Sequence, residues 1–142
     1  MGANRVFLDA NAWVIVLNKR ESLHIEANAK LRELGRAGCI LVVTDWVIAE
    51  TGNGLARSPA RKGFREAVQQ FLSSPRTHVV HITAELLERA LDLYADRPDK
   101  TWGLVGCASF VIMKDEGITD AFTTDRHFEQ AGFNCLLPAS AL

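Results

Sequence analysis

Short, non-alternating apolar segments recur along the chain between longer segments of helical periodicity, and this recurrence constrains the fold more than any other feature. The predicted strands are Arg5–Leu8, Ile40–Val43, Val79–Ile82, Ala121–Thr124 and Phe133–Leu137. Apolar runs without alternation are typical of strands whose two faces are both buried, as in a parallel sheet covered by helices. The pattern therefore predicts an α/β fold, a three-layer α/β/α sandwich around a parallel sheet.

Helices are predicted between these strands wherever apolar residues recur at helical spacing. They cover Ala10–Asn18, Ile25–Leu34, a segment from Thr44 or Asp45 through Glu50, Lys62–Leu72, Ala84–Tyr94, Leu104–Glu116 and Asp125–Gln130. Gly35 and Gly38 are expected to end the second helix. The 142 residues contain no repeat and no long linker, so we expect a single domain over residues 1–142.

Composition excludes several classes of protein. Sixteen Lys and Arg against 17 Asp and Glu give a net charge of −1, so any contact with nucleic acid must come from a local patch. No apolar stretch approaches the ~20 residues of a membrane span, and an acid at Asp9 precedes any long apolar run, unlike a signal peptide. The odd, widely spaced Cys39, Cys107 and Cys135 favour free thiols in the cytoplasm over disulfides or a cysteine zinc site.

Acidic residues stand close behind three of the predicted strands. Asp9 and Asp125 directly follow the first and fourth strands, and Glu50 lies on the helix after the second. Ligands of parallel α/β sheets bind at the carboxyl ends of the strands, and oxygen ligands without histidine or cysteine suit Mg²⁺ or Mn²⁺. The same positions also suit helix N-caps for the aspartates and a solvated face for the glutamate, so spacing alone leaves both interpretations open.

Three stretches carry a resemblance that covers nearly the whole chain: VFLDANAW, TDWVIAETGNGL and DKTWGLVGCASFVIMKDEGITDAFTTDRHFEQAGF. They resemble the PIN-domain family, of the kind found as the toxin of VapBC-type toxin–antitoxin pairs. The resemblance implies a Rossmann-like α/β/α sandwich and a metal-dependent endoribonuclease that uses Mg²⁺ or Mn²⁺. It also implies metal-site carboxylates at Asp9, Glu50 and Asp125, with Asn11 and Thr124 as polar supports.

One position departs from the family pattern. The family normally reads like WSLTDC where this chain reads WGLVGC, so Gly106 stands in place of a metal-ligating aspartate. In one interpretation, Asp99 or water fills the gap and a weaker nuclease survives, because Mg²⁺ tolerates several water ligands. In the other, the chain is a degenerate, non-catalytic PIN domain that binds RNA or a protein partner.

Basic and aromatic residues suggest where RNA would bind. Four cations stand between Glu50 and Glu66 with no acid among them: Arg57, Arg61, Lys62 and Arg65. Together with Arg126 they are candidates for phosphate contacts, although a solvated helix start is the simpler explanation of the four. Trp102 and Phe110 could stack on bases, but aromatic residues serve packing more often than base stacking.

The remaining expectations concern partners and a competing chemistry. Trp13 and Trp46 lie on helices that are apolar on more than one side, which indicates cover by another chain. The family resemblance implies a homodimer and, for a toxin, a small antitoxin bound in a hydrophobic groove. A phosphotransferase with Asp9 as nucleophile would need an acid two residues on, where this chain has Asn11.

Overall fold

The computed structural model describes residues 4–138 of the chain. Within these residues five strands form one sheet: β1 (Arg5–Leu8), β2 (Ile40–Thr44), β3 (Thr77–Val80), β4 (Asp120–Phe122) and β5 (Asn134–Cys135). All pairings are parallel, and the strand order is β3-β2-β1-β4-β5. Seven helices connect the strands: α1 (Ala10–Leu17), α2 (His24–Arg36), α3 (Asp45–Gly54), α4 (Arg61–Ser73), α5 (Ala84–Asp96), α6 (Leu104–Glu116) and α7 (Arg126–Gln130). The predicted α/β class is confirmed.

The strand order distributes the helices over both faces of the sheet. From β1 the chain moves outward through β2 to β3, then returns across β1 to β4 and β5. Crossovers between parallel strands are right-handed in nearly all proteins, so the two directions of travel put α1 to α4 on one face and α5 to α7 on the other. The helix packing agrees, since α1 contacts α2 and α3 whereas α5 packs along α6.

The central strand β1 delivers the chain to the carboxyl edge of the sheet. Its Phe7 pairs with Val42 of β2 on one side and Ala121 of β4 on the other, and all three residues are fully buried. The burial continues through Leu8 into Asp9, which is only 6% exposed. A carboxylate therefore stands at the end of the most deeply buried strand.

Four strands differ in extent from the sequence prediction, and the smallest difference is in β2, which continues one residue beyond Val43 to Thr44. β3 begins and ends two residues before the predicted Val79–Ile82, β4 ends at Phe122 and excludes Thr124, and β5 is shorter than Phe133–Leu137. The predictions followed the apolar residues, whereas a strand ends where its backbone pairing ends. Apolar side chains beyond that point still pack on the core, which is why hydrophobicity alone misplaced these boundaries.

The boundary of α2 also differs from the prediction. The helix continues through Gly35 to Arg36, so Gly35 does not end it. Gly38 has a left-handed φ of 75° just beyond the helix, a backbone conformation that favours glycine and commonly follows a helix end. The prediction was therefore right for Gly38 and wrong for Gly35.

Aromatic rings join α6 and α7 to the sheet. The ring of Phe128 on α7 lies 6.3 Å from that of Phe7 and 4.9 Å from that of Phe110, measured between centroids. Trp102 meets Phe110 edge-on at 5.1 Å and donates its indole N–H to Gln130. Trp102 and Phe110 are both buried, which makes them packing residues rather than open platforms for bases.

The three cysteines are free thiols in the described part of the chain. Cys39 and Cys107 are buried free thiols, and Cys135 is a partly buried one. Burial raises the pKa of Cys107 and raises the pKa of Cys135 to about 11, which keeps both thiols protonated and unreactive at neutral pH. No helix within residues 4–138 is long and apolar enough to cross a membrane.

Replacing Phe128 with alanine should destabilise the whole domain, because the ring is 1% exposed and ties α7 to β1. We expect a loss of about 3–5 kcal/mol in the free energy of unfolding, measured by urea denaturation. Leu72→Ala is the matched control, since Leu72 is 53% exposed and its loss should cost less than about 0.5 kcal/mol. Equal losses in the two variants would show that the aromatic cluster does not anchor α7.

Candidate active site

The strand order brings Asp9, Glu50 and Asp125 to one place. Asp9 directly follows the central strand β1, Glu50 lies on α3 after one neighbouring strand, and Asp125 stands just beyond the other neighbour. The crevice where the direction of strand travel reverses, between β1 and β4, is where open α/β sheets bind ligands. All three carboxylates line a single cavity of about 320 Å³ at this edge, called the carboxylate cavity below.

Asp9 is the buried acid of the site. Its side chain makes no capping hydrogen bond to α1, although the residue occupies the N-cap position. Burial is the main reason that its pKa rises to about 7, and the negative charges of Glu50 and Asp125 raise it further. A hydrogen bond from the Thr123 hydroxyl to Asp9 Oδ2, 2.8 Å long, opposes part of this shift. The capping interpretation therefore fails for this side chain.

Thr123 holds the buried side of the site together, and the sequence analysis missed it. Besides donating to Asp9, its hydroxyl lies 3.0 Å from Asn11 Oδ1 and accepts a 3.0 Å hydrogen bond from the Asp125 backbone N–H. The neighbouring Thr124, proposed from the family resemblance as a support, donates its backbone N–H to Asn11 Oδ1 at 3.3 Å. The sequence signal that could have identified Thr123 is its position in TTD. It stands one residue beyond the end of β4, which pairs with β1, the strand that precedes Asp9.

Glu50 approaches the cavity from the α3 side. Thr44 caps this helix, since its hydroxyl accepts a 3.0 Å hydrogen bond from the Val47 backbone N–H. Glu50 remains largely exposed, yet partial burial raises the pKa of its carboxyl and the charge of Asp125 raises it further. Both carboxylates line the same cavity, so the charge of Asp125 disfavours ionisation of Glu50.

Asp125 combines a structural role with its place in the cavity. Its Oδ1 accepts a 2.9 Å hydrogen bond from the His127 backbone N–H and so caps α7. The same oxygen lies 3.2 Å from Nδ1 of the His127 ring, which also lines the cavity. The N-cap interpretation is thus correct for Asp125 without excluding a role toward a ligand, because a carboxylate has further lone pairs to offer.

The first turn of α6 forms the opposite wall of the cavity, and Gly106 lies in it. A Cβ atom placed on Gly106 would come no closer than 3.7 Å to the Phe110 ring, an ordinary van der Waals contact. The backbone at this position therefore has room for a Cβ atom. This wall lacks a carboxylate because residue 106 is a glycine, and not because the backbone leaves no space for a Cβ atom.

The carboxylates of the cavity are the kind of ligand that a hard divalent cation prefers. They are few, so the protein supplies only part of a coordination sphere. Within residues 4–138 no three His, Cys, Asp or Glu side chains are grouped tightly enough to form a ready metal site. Three carboxylates nevertheless line one cavity, and burial disfavours the charge on Asp9. A cation would offset that cost, and Mg²⁺ readily keeps water as its remaining ligands.

Several residues named from the sequence lie away from the carboxylate cavity. Asp99 does not line it, and its two oxygens instead accept hydrogen bonds of 3.0 Å from Arg97. Asp99 is therefore left out of the ligand set. Arg61 and Arg65 line a separate cavity between α3 and α4. Three further cations also lie outside the carboxylate cavity: Arg57, Lys62 and Arg126.

Comparisons with known proteins place this geometry in context. The family model of the PIN domain matches residues 6–134 of this chain. The 23S rRNA-specific endonuclease VapC20 of Mycobacterium tuberculosis is 28% identical over 130 residues, which cover 90% of this chain and 95% of that protein.

Two solved structures resemble the chain in three dimensions. The crystal structure of M. tuberculosis VapC20, described as a sarcin-ricin loop cleaving toxin, matches with a TM-score of 0.80 at 25% identity and covers 94% of this chain and 99% of that one. The crystal structure of VapBC2 from Rickettsia felis bound to a promoter DNA fragment matches with a TM-score of 0.62 at 18% identity, over 90% and 93% of the two chains. The second likeness supports the fold alone.

The raised pKa of Asp9 predicts how the stability of the metal-free protein depends on pH. Its pKa of about 7 in the folded state exceeds the ordinary 3.8, so between these values the folded protein binds more protons than the unfolded chain. The free energy of unfolding should fall across that window as pH rises, by up to about 4 kcal/mol. Asp9→Asn should remove this slope, because the amide oxygen still accepts from Thr123 and carries no charge.

Urea denaturation in EDTA at about pH 5 and about pH 8 measures this effect. The variant should be the more stable protein at the higher pH only, where wild-type Asp9 is charged. Glu33→Gln is the control, since Glu33 is exposed on α2. If Asp9→Asn kept the wild-type slope, the carboxylate would titrate like an exposed acid.

Proposed function

We propose, because the chain belongs to the PIN-domain family, that it is a metal-dependent endoribonuclease and the toxin of a toxin–antitoxin pair. The observation that carries the proposal is the convergence of Asp9, Glu50 and Asp125 on one cavity at the carboxyl edge of the sheet. The similarity to VapC20, which is named for cleavage of 23S rRNA, supports RNA as the substrate class.

Asp9, Glu50 and Asp125 are the proposed ligands of Mg²⁺ or Mn²⁺. When bound, such an ion supplies the positive charge that activates water and stabilises a phosphodiester under attack. Thr123 orients Asp9, and its hydrogen bond favours the charged carboxylate that a cation requires. Asn11 supports the same group through its contacts with Thr123 and the Thr124 backbone.

A second candidate function is a non-catalytic PIN domain that binds RNA or a protein partner. Gly106 favours it, because this wall of the cavity offers no carboxylate to complete the acidic set. The buried Asp9 argues for the nuclease, since a buried charge with no ligand only lowers stability. The two candidates differ in one observable, the hydrolysis of RNA by the metal-loaded protein.

The remaining proposed properties are the antitoxin partner, the oligomeric state, the location in the cell and the phosphate contacts. An antitoxin partner is proposed because VapC20 is described as a toxin. The homodimer and the cytoplasmic location stay predictions from the sequence. The α4 cations Arg61, Lys62 and Arg65 also stay predicted phosphate contacts, on a surface apart from the carboxylates.

Cleavage of a structured RNA should require both Mn²⁺ and the acids. We expect wild-type protein to cut the RNA in Mn²⁺ and to stop in EDTA. Asp9→Asn and Glu50→Gln should each lower the rate about 100-fold or more, because each removes a charge from the metal site. Gel electrophoresis of end-labelled RNA measures the rate.

The matched control is Glu33→Gln, an exposed helical glutamate on α2 that should cleave at the wild-type rate. Equal cleavage by Asp9→Asn and wild type would identify a contaminating nuclease and remove the enzymatic proposal. Binding of RNA without cleavage by any of the proteins would favour the non-catalytic candidate.

Restoring a carboxylate at position 106 should strengthen metal binding. A Cβ atom fits there without a clash, and Gly106 lines the same cavity as the three acids. We expect Gly106→Asp to bind Mn²⁺ about tenfold more tightly or better, since loss of even a residue supporting a metal ligand costs 10–100-fold. Isothermal titration calorimetry measures the affinity.

Gly63→Asp serves as the control for this variant, because Gly63 also lies near the start of a helix with open space around its Cβ position. It should bind Mn²⁺ as the wild type does. Unchanged affinity in Gly106→Asp would mean that the wall of α6 is too distant from the other acids to share an ion.

A further inference from the structure

We propose that the segment joining α5 to α6 forms a subsite for an unpaired nucleotide of RNA, next to the carboxylate cavity. A second cavity of about 500 Å³, here called the loop cavity, opens in this segment. Its lining includes Tyr94, Arg97, Lys100, Thr101, Trp102 and Gly103. The inference rests on the proposed ribonuclease function and names which part of the surface would hold the substrate beside the acids.

The loop cavity and the carboxylate cavity share a wall. Trp102 and Gly103 line both of them, so the two cavities adjoin. A short polar chain links the two as well. Thr101 Oγ1 lies 3.2 Å from His127 Nε2, and His127 Nδ1 lies 3.2 Å from Asp125 Oδ1. A ligand held by the loop would therefore be positioned relative to the acids.

The two cavities are lined by side chains of opposite charge. This suits a polyanion that places one reacting phosphate at the acids and a neighbouring phosphate in the loop cavity. Three carboxylates line the carboxylate cavity, whereas the residues lining the loop cavity include Lys100 and Arg97 and no acid. Arg97 is held in place, because it pairs with Asp99 and lies 5.0 Å over the Trp102 ring. Lys100 also interacts electrostatically with Asp99 but has no hydrogen bond to it in the described residues, and it is the lining cation proposed to contact a phosphate neighbouring the one at the acids.

Tyr94 supplies an aromatic face in the same cavity. Its side chain is 54% exposed at the end of α5, an unusual exposure for a large ring. Trp102 is 6% exposed and packs on Phe110, so its ring is already covered. A nucleobase can stack on an exposed ring only when it is unpaired, which favours a loop or single strand over a duplex.

Binding of RNA in EDTA, where a metal-dependent nuclease does not cut, tests the subsite separately from catalysis. The probe is a fluorescein-labelled RNA hairpin with an unpaired loop, and binding is followed by fluorescence anisotropy. We expect Tyr94→Ala to weaken binding about tenfold and Tyr94→Phe to retain it, because phenylalanine keeps the stacking face. Lys100→Gln should weaken binding and reduce the salt dependence by about one phosphate contact.

Matched controls lie on other helices. Leu72→Ala removes a side chain of nearly the same exposure as Tyr94, and Lys30→Gln removes a cation on α2 that lines neither cavity. Both should bind the hairpin as the wild type does. A blunt duplex of the same stem should bind weakly to every protein and show no difference between Tyr94→Ala and wild type.

The outcomes separate the subsite from the proposed function. Wild-type affinity in both Tyr94→Ala and Lys100→Gln would overturn the subsite, even if the protein cuts RNA in Mn²⁺. Loss of affinity in Lys62→Gln instead would assign the contact to α4 and equally overturn it. Weakened hairpin binding in Tyr94→Ala and Lys100→Gln, in a protein that never cuts RNA, would support the subsite and reject the nuclease.

Discussion

The burial of one carboxylate, Asp9, is the constraint on which the rest of this structure depends. The central strand β1 is covered on both faces, so whatever follows it at the carboxyl edge is drawn out of water. An aspartate in that position is destabilised in its charged form, and its pKa of about 7 expresses that cost. The hydrogen bond from Thr123 offsets part of it, and a cation would offset more.

The fold forms the site by bringing elements from both faces of the sheet to the edge where Asp9 is buried. Glu50 arrives on α3 from one layer, while α6 and α7 contribute from the other. Their arrangement leaves the carboxylates close enough for repulsion and too sparse for a ready metal site within residues 4–138. The cost of keeping these carboxylates charged therefore lowers the stability of the metal-free protein, and the same cost favours the binding of a cation.

Gly106 lies in the first turn of α6, and the α5–α6 segment leads directly into that turn. Within the carboxylate cavity, the glycine leaves room and contributes no charge. Before the helix begins, Lys100 and Tyr94 offer charge and ring surface of the kind that RNA recognises. A site with few acidic ligands would depend more on such contacts to hold a phosphate in place.

The sequence by itself determined the order of strands and helices, because the periodicity of apolar residues records which faces are buried, and it placed acids behind the strands that became β1 and β4. Boundaries such as the end of β4 depend on backbone pairing, which side-chain hydrophobicity does not report. Only the tertiary structure decided that the Thr123 hydroxyl bonds Asp9, that the Trp102 indole bonds Gln130, and that Tyr94 lines a cavity with Trp102 and Gly103. Each of these contacts joins residues whose distance in space is set by the packing of different elements, and no local pattern in a single sequence encodes it.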